Sequence, residues 1–431
     1  MNSFTESFTI SLRNNHPYSP SPVFRATSSR RSTASFTQLQ VADNLYYSSS
    51  NDASTSNLPY TSSTGNAASQ KVTLTRYLSS LVQEQPELRE LESLLLSVSM
   101  ACKTISNLIN RGNINQQTPM DRSNMQQNSM TKLDQLSTQV LRNALRFTGK
   151  VSTITPARDN PNQTSEKLEQ VVRYDDGPSE HQPGVLIASA IDSKYVAFFD
   201  PLDGSGNADA TIATGTIFGM FEQNNIQPNH QDIPMDKDLD SDLSDVLQPG
   251  KNLRAAGYCL YSSATILVFS VGDGTHGFTL DPQLGEFVLT HPSIRIPPRG
   301  TIYSCNEANS EAWPIEVQTY LSALKTGNNQ SMKKYTQRYV GSMVGDIHRT
   351  LMYGGIFFYP PDQGLHPRGN LQLLYKSAPL AYLVAQAGGD STNGETSLLD
   401  VSPERVHVRS PCFIGSPEDI QEMKTYISHE Q

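Results

Sequence analysis

The chain is short of several things that would have named a function class. Its 431 residues include four cysteines and a single tryptophan. Cys102, Cys259, Cys305 and Cys412 lie far apart and form no C-x-x-C pair, which argues against a zinc site or a disulfide framework and leaves buried free thiols as the expectation. No apolar run approaches the roughly 18 residues that a membrane span needs, so no membrane partner is expected. Long basic runs are also missing. With 33 Lys+Arg against 42 Asp+Glu and a formal net charge of −9, the chain is a poor candidate for sequence-blind nucleic-acid binding.

The N-terminal stretch has its own absences. Residues 1–36 hold no acid except Glu6 and no continuous apolar segment, which argues against a secretory signal. They are rich in Ser and Thr and carry Arg13, Arg25, Arg30 and Arg31. Hydroxylated, basic and acid-poor composition is the signature of an organelle transit peptide, and the density of serine favours the plastid stroma. Residues 48–70, SSSNDASTSNLPYTSSTGNAASQ, have too little apolar surface to fold and read as linker.

What is present begins near Thr73. Helical spacing of apolar residues predicts buried helices over 87–109 and 132–147. Residues 152–187 are polar and proline-bearing and read as a loop or insertion, and the acidic stretch 222–250 as a long surface loop. Strands are expected at 195–199 and through LRAAGYCLYSSATILVFSVG and GFTLDPQLGEFVLTHPSIRI, with further helices over 342–353 and 379–387. There is no internal repeat. This mixture predicts a layered α/β or α+β architecture.

One segment concentrates chemistry. In YVAFFDPLDGSGNAD, residues 195–209, an apolar strand ends in Asp200 and Asp203 around a Gly-Ser-Gly turn. Two carboxylates three residues apart can face one pocket and bind hard divalent cations, with the Leu202 carbonyl as a further oxygen ligand. Ser205 and the amides near Gly206 and Asn207 can cradle a phosphate. A bland Asp-Pro turn with a capping Asp explains the short motif equally well.

The longer string FDPLDGSGNADATIATGTIFGMF resembles the metal-phosphate loop of class I fructose-1,6-bisphosphatases. AAGYCLYSSATILVFSVGDG, RYVGSMVGDIHRTLMYGGIFFYP and LLYKSAPLAYLVAQAGG resemble that family in the same order, over about Thr73 to Met423. The resemblance implies a five-layered αβαβα sandwich, a homotetramer, and Mg²⁺-dependent hydrolysis of the 1-phosphate of fructose 1,6-bisphosphate. It implies an N-terminal domain over 71–275 and a C-terminal domain over 276–425, preceded by transit peptide and linker over 1–70. It implies catalytic roles for Asp200, Asp203 and Asp134, metal ligation by Asp200, Leu202 and Asp203, and sugar-phosphate contacts from Ser205, Asn306, Arg338, Tyr339 and Tyr359. In the family the arginine reaches across a subunit interface.

Departures from the family pattern are as informative. Lys376, in LLYKS, stands where the family has a metal-ligating glutamate, and Asn370 stands where it has a phosphate-contacting lysine. Ala157-Arg158 falls near the family's mobile Glu-Glu pair, and Gln139 replaces an acid that helps to activate water. Glu166, Glu169, Asp175 and Asp176 lie in the insertion that follows, with Asp175-Asp176 the favoured substitutes. Residues 222–250 carry no cysteine, which argues against thioredoxin control. Lys194 and Tyr195 match AMP-binding residues, but the threonines of that nucleotide site fall at non-threonine positions around Leu88 and Glu92. Two readings follow: an atypical phosphatase of impaired activity, or a non-hydrolytic relative that binds a sugar phosphate or assembles with partners. An acid from 159–176 beside Asp200 would favour the first, and Lys376 paired with Asp200 or Asp203 the second.

Overall fold

Three helices precede the strands in chain order, and the later helices alternate with strands. The computed structural model describes residues 71–115, 132–157, 186–187, 193–223, 245–364 and 366–428. The transit-peptide and linker expectations, the insertion acids, Arg158 and most of the acidic loop lie outside these residues.

Helices α1 (Leu74–Glu84), α2 (Arg89–Asn115) and α3 (Lys132–Arg146) come first. α1 begins at Thr73, whose hydroxyl accepts a hydrogen bond from the Arg76 amide, and it buries Leu74, Leu78, Leu81 and Val82 along one face. Eight strands then build one sheet: β1 (Val151–Pro156), β2 (Leu186–Ile187), β3 (Tyr195–Asp203), β4 (Thr214–Glu222), β5 (Leu253–Tyr261), β6 (Thr265–Ser270), β7 (Thr275–Asp281) and β8 (Glu286–Ile294). Their order is β2-β1-β3-β4-β5-β6-β7-β8, with β1 and β3 parallel and the other neighbours antiparallel. The one-turn helix α4 (Ser205–Ala208) follows β3 directly.

A second sheet holds β9 (Ile302–Ser304), β10 (Thr336–Gln337), β11 (Ile356–Tyr359), β13 (Asp390–Thr392) and β15 (Cys412–Gly415), in the order β10-β9-β11-β15-β13. Strands β12 (Leu371–Gln372) and β14 (Arg409–Ser410) form a small separate pair. The remaining helices are α5 (Ile315–Thr326), α6 (Met343–Tyr353), α7 (Ala378–Gln386) and α8 (Pro417–Ser428).

The period-2 alternation of the strands sorts side chains into three cores and so fixes five layers. Along β3, Tyr195, Ala197 and Phe199 pack with α1, α2 and α3, while Val196 and Phe198 face the opposite way, toward α6 and α7. Along β11, Phe357 joins that central core, whereas Ile356 and Phe358 pack outward with Val317 and Tyr320 of α5 and Ile420 of α8. The result is the five-layered αβαβα sandwich expected from the resemblance.

Two local expectations are corrected. Residues 152–156 are strand, not loop, because Val151 and Ile154 bury between β3 and the first helical layer. The end of the expected acidic surface loop is interior: Asp245, Val246 and Gln248 are buried, and the Gln248 side-chain amide donates to the carbonyls of Glu222 and Asp245. All four cysteines are free and buried, as expected. Among the described residues, no helix is long and apolar enough to cross a membrane.

Candidate functional site

The acids of the opening loop sit at the end of β3, where its pairing with β4 goes out of register between Asp200 and Asp203. A bulge of this kind lets two nearby side chains turn to the same side. Gly204 follows in the left-handed region at φ 70°, and a Cβ there would lie 2.7 Å from the Cβ of Ser342. Glycine is therefore required twice at this position, for backbone conformation and for close approach.

Asp203 is held from several directions. Its Oδ2 accepts from the Ser342 hydroxyl at 2.8 Å and from the Val344 amide at 3.1 Å, so the carboxylate lies on the N-terminus of α6. Its Oδ1 accepts from Lys376 Nζ at 2.7 Å. Burial alone would raise the Asp203 pKa, but the Lys376 charge and hydrogen bond, with the Val344 and Ser342 donors, outweigh it and hold the group below the ordinary carboxylate range.

Lys376 also lies 2.8 Å from Asp200 Oδ2, an ion pair without hydrogen-bond alignment. Asp200 Oδ1 accepts from the Leu202 amide at 3.2 Å. The lysine stands on a π-helical turn, Leu373–Ser377, that runs straight into α7. That turn widens the helix by one residue and delivers the ammonium to the end of β3. Burial opposes the charge on Lys376, yet the two carboxylates overcome it and push the pKa upward. The side chain keeps 20% exposure while those of Asp200 and Asp203 keep 1% and 4%.

This donor set does not fit a divalent cation. Mg²⁺ completes its six oxygens with water around one or two carboxylates, but here both carboxylates are taken up by an ammonium that repels the ion. Among the described residues, no group of three or more His, Cys, Asp and Glu is placed to hold a metal ion. Leu202 is buried with its side chain in the first-layer core. Asp134 is buried on the face of α3 that carries Ser137, Thr138 and Leu141, whereas Gln139 on the same helix is exposed. Ala157 is stitched between β3 and β12: its amide donates to the Phe199 carbonyl at 3.0 Å, and its carbonyl accepts from Gln372 Nε2 at 2.7 Å.

Four of the five residues expected to contact a sugar phosphate lie at one end of the second sheet by strand topology. β9 is parallel to β10 and to β11, and Asn306, Arg338, Tyr339 and Tyr359 all lie at or just beyond the carboxyl ends of these strands. This is where open sheets of parallel strands offer a crevice. Arg338 Nη1 donates to the neighbouring Gln337 carbonyl at 2.9 Å, and among the described residues no carboxylate pairs with it. Tyr339 is 39% exposed, and its hydroxyl is pushed up to about 12 by burial and by the charges of Tyr359, Asp346 and Asp203. Ser205 is buried at the start of α4; the Asn207 amide is used by the Gly204 carbonyl at 2.8 Å and is not free for an anion.

Three positioning residues escaped the sequence reading. Asp346 is fully buried and accepts from the Val340 amide at 3.0 Å and from Arg349 at 2.7 Å. Arg349 also donates to the Ser304 hydroxyl at 2.9 Å and the Arg338 carbonyl at 2.8 Å, which clamps the segment carrying Arg338 and Tyr339. Ser342 couples that segment to Asp203. The only sequence signals were a serine ahead of an apolar helix and an Asp-x-x-Arg spacing, both common on ordinary helices. Asn370 is contacted by a cation from elsewhere in the chain, since Arg409 donates to its Oδ1 at 2.8 Å. Lys194 pairs with Glu222 at 3.0 Å.

Comparison with known proteins agrees with this architecture. Residues 72–292 match the family model described as Fructose-1-6-bisphosphatase, N-terminal domain, and residues 296–428 match Fructose-1-6-bisphosphatase, C-terminal domain. The chain is 40% identical over 365 residues to the chloroplastic fructose-1,6-bisphosphatase of Pisum sativum, covering 83% of each chain. It is also 40% identical over 362 residues to the cytosolic fructose-1,6-bisphosphatase of a Saccharum hybrid, covering 83% of this chain and 95% of the relative. The T-state crystal structure of Leishmania major fructose-1,6-bisphosphatase superposes with a TM-score of 0.67 at 33% identity, over 84% of this chain and all (100%) of that one. With both domain models matched in order across the folded chain, this protein belongs to the fructose-1,6-bisphosphatase family.

Proposed function

We propose that this chain binds a phosphorylated sugar of the fructose bisphosphate class, and that its Mg²⁺-dependent hydrolysis of the 1-phosphate is weak or absent. One observation carries the reading: the Lys376 ammonium stands 2.8 Å from Asp200 and 2.7 Å from Asp203, where the resemblance puts a glutamate and metal. The fixed positive charge repels Mg²⁺ and occupies the oxygens the ion would use. Any residual hydrolysis falls to acids of the insertion, with Asp175 and Asp176 the first candidates. The sugar phosphate is received by Asn306, Tyr339 and Tyr359 with Arg338, the arginine crossing between subunits of a homotetramer as in the family. By the resemblance, Asp134 belongs to the catalytic set, the Leu202 carbonyl to the metal ligands and Ser205 to the sugar-phosphate contacts.

The setting we propose is the plastid stroma and its carbohydrate metabolism. Support comes from the hydroxylated, basic composition of residues 1–36; relatives include both chloroplastic and cytosolic proteins. The absence of cysteine from 222–250 supports a form without thiol control in that loop.

The deciding assay is phosphate release from fructose 1,6-bisphosphate by the mature protein in Mg²⁺, beside a Lys376→Glu variant. The unmodified chain is expected at least roughly 1,000-fold below the typical ~10 s⁻¹ of enzymes, and the variant above it. Ordinary turnover in the unmodified chain would refute the impaired site.

A further inference from the structure

We infer that the site spanning Tyr339 to Lys376 prefers a sugar monophosphate to a bisphosphate and binds it without a divalent cation, the phosphate lying at Arg338, Tyr339 and Tyr359 and the sugar hydroxyls at Asp200, Lys376 and Asp203. This rests on the proposed function only in that a sugar phosphate must bind at all.

The two ends of this site differ in charge. At one end are two phenols and, from this chain or a second copy, a guanidinium with no carboxylate partner among the described residues. The other arginine on this segment is neutralised: Arg349, which donates to the Arg338 carbonyl, is paired to Asp346. An unpaired guanidinium beside hydroxyl donors suits a phosphate dianion. At the other end, two carboxylates against one ammonium carry one net negative charge. A second phosphoryl group, with about −1.5 to −2 charges at neutral pH, would meet like charge there with no ion between.

A hydroxyl group meets no such penalty. It can donate to a carboxylate oxygen and accept from the ammonium, and Lys376 has three N–H donors of which its aligned bond to Asp203 uses one. The lysine keeps one-fifth of its surface (20%) toward solvent, so a donor is reachable. The ends are also close. Tyr339 lies three residues before Ser342, whose hydroxyl is 2.8 Å from Asp203, and three residues span at most roughly 10 Å. Tyr339 feels the charge of Asp203 as well as that of Tyr359, which places all three in one neighbourhood.

Titration calorimetry of the mature protein in EDTA tests this, with fructose 6-phosphate and fructose 1,6-bisphosphate as separate probes. The monophosphate is expected to bind at least roughly tenfold tighter, a gap of about 1.4 kcal/mol, and Mg²⁺ is expected to leave that ratio unchanged. Lys376→Glu in Mg²⁺ is expected to reverse the order; if that variant does not fold, the comparison in the unmodified chain still decides. Arg338→Ala is expected to weaken both ligands, and an unchanged monophosphate affinity would show that the phosphate is not at that end. Equal or tighter binding of the bisphosphate in EDTA overturns the inference while leaving the proposed function intact. Failure of both sugar phosphates to bind overturns both readings.

Discussion

At the scale of single residues, the site is decided by one side chain of opposite sign. A glutamate at 376 would add an oxygen ligand; Lys376 instead supplies a cation to Asp200 and Asp203. Asp203 also accepts from Ser342 and Val344, so its removal strips three donors at once. Asp203→Ala is expected to cost about 2–4 kcal/mol in chemical denaturation, slightly under the usual 3–5 for breaking a buried pair, because Asp200 still holds the ammonium. The acid limb should change too. A carboxyl group with a lowered folded-state pKa contributes stability that is full above the ordinary range near pH 4 and is lost as pH falls through the lower folded value. The variant is therefore expected to flatten the stability–pH curve below about pH 4. The Lys376 pairing was foreseen as one of two outcomes, on the resemblance and not on local pattern, because Lys376 is 173 residues from Asp203; the Ser342 and Val344 contacts were not foreseen.

At the scale of elements, the end of β3 is braced by α6. Ser342 caps the helix, Val344 abuts Gly215, and Gly204 passes beneath the cap with no room for a side chain. Gly204→Ala is expected to destabilise by about 1–3 kcal/mol, from the left-handed backbone and from contact with Ser342, and thermal unfolding would register it. The same helix carries His348, whose Nδ1 lies 2.8 Å from the Tyr258 hydroxyl. Burial, with a smaller effect from His291, lowers its pKa to about 4. A histidine so lowered contributes stability that is present above its unfolded value near pH 6.5 and lost as pH falls toward 4. Up to about 3 kcal/mol should disappear across that window, and a His348→Gln variant should show a flatter slope. Helix boundaries were legible here to within a residue or two, since Ser342 before an apolar periodic stretch is a start signal and Gly388 after α7 a stop signal. The strand at 151–156 was missed because only tertiary burial of Val151 and Ile154 distinguishes it from polar loop.

At the scale of the whole molecule, the sandwich holds its site between the two sheets with a cation built into the chain. An ion that bound the native state at 100 times its Kd would add about 2.7 kcal/mol of stability. The melting temperature of the mature protein is therefore expected to be the same in EDTA and in Mg²⁺, and a rise with Mg²⁺ is expected in Lys376→Glu alone; calorimetric scanning checks both. The layered fold was readable from local patterns, because continuous apolar runs in β3, β5 and β11 mark strands buried on both faces, and helical spacing in α1, α2 and α6 marks helices buried on one. The residue types of the site were readable as well, in DPLDG, RYVGS and LLYKS. What the linear order did not decide was charge neutralisation: which of the two foreseen outcomes Lys376 takes, that Asp346 and Arg349 clamp the segment bearing Tyr339, and that Arg409 reaches Asn370. Electrostatic pairing depends on distance through space, and only the packed layers bring those distant positions within reach of one another.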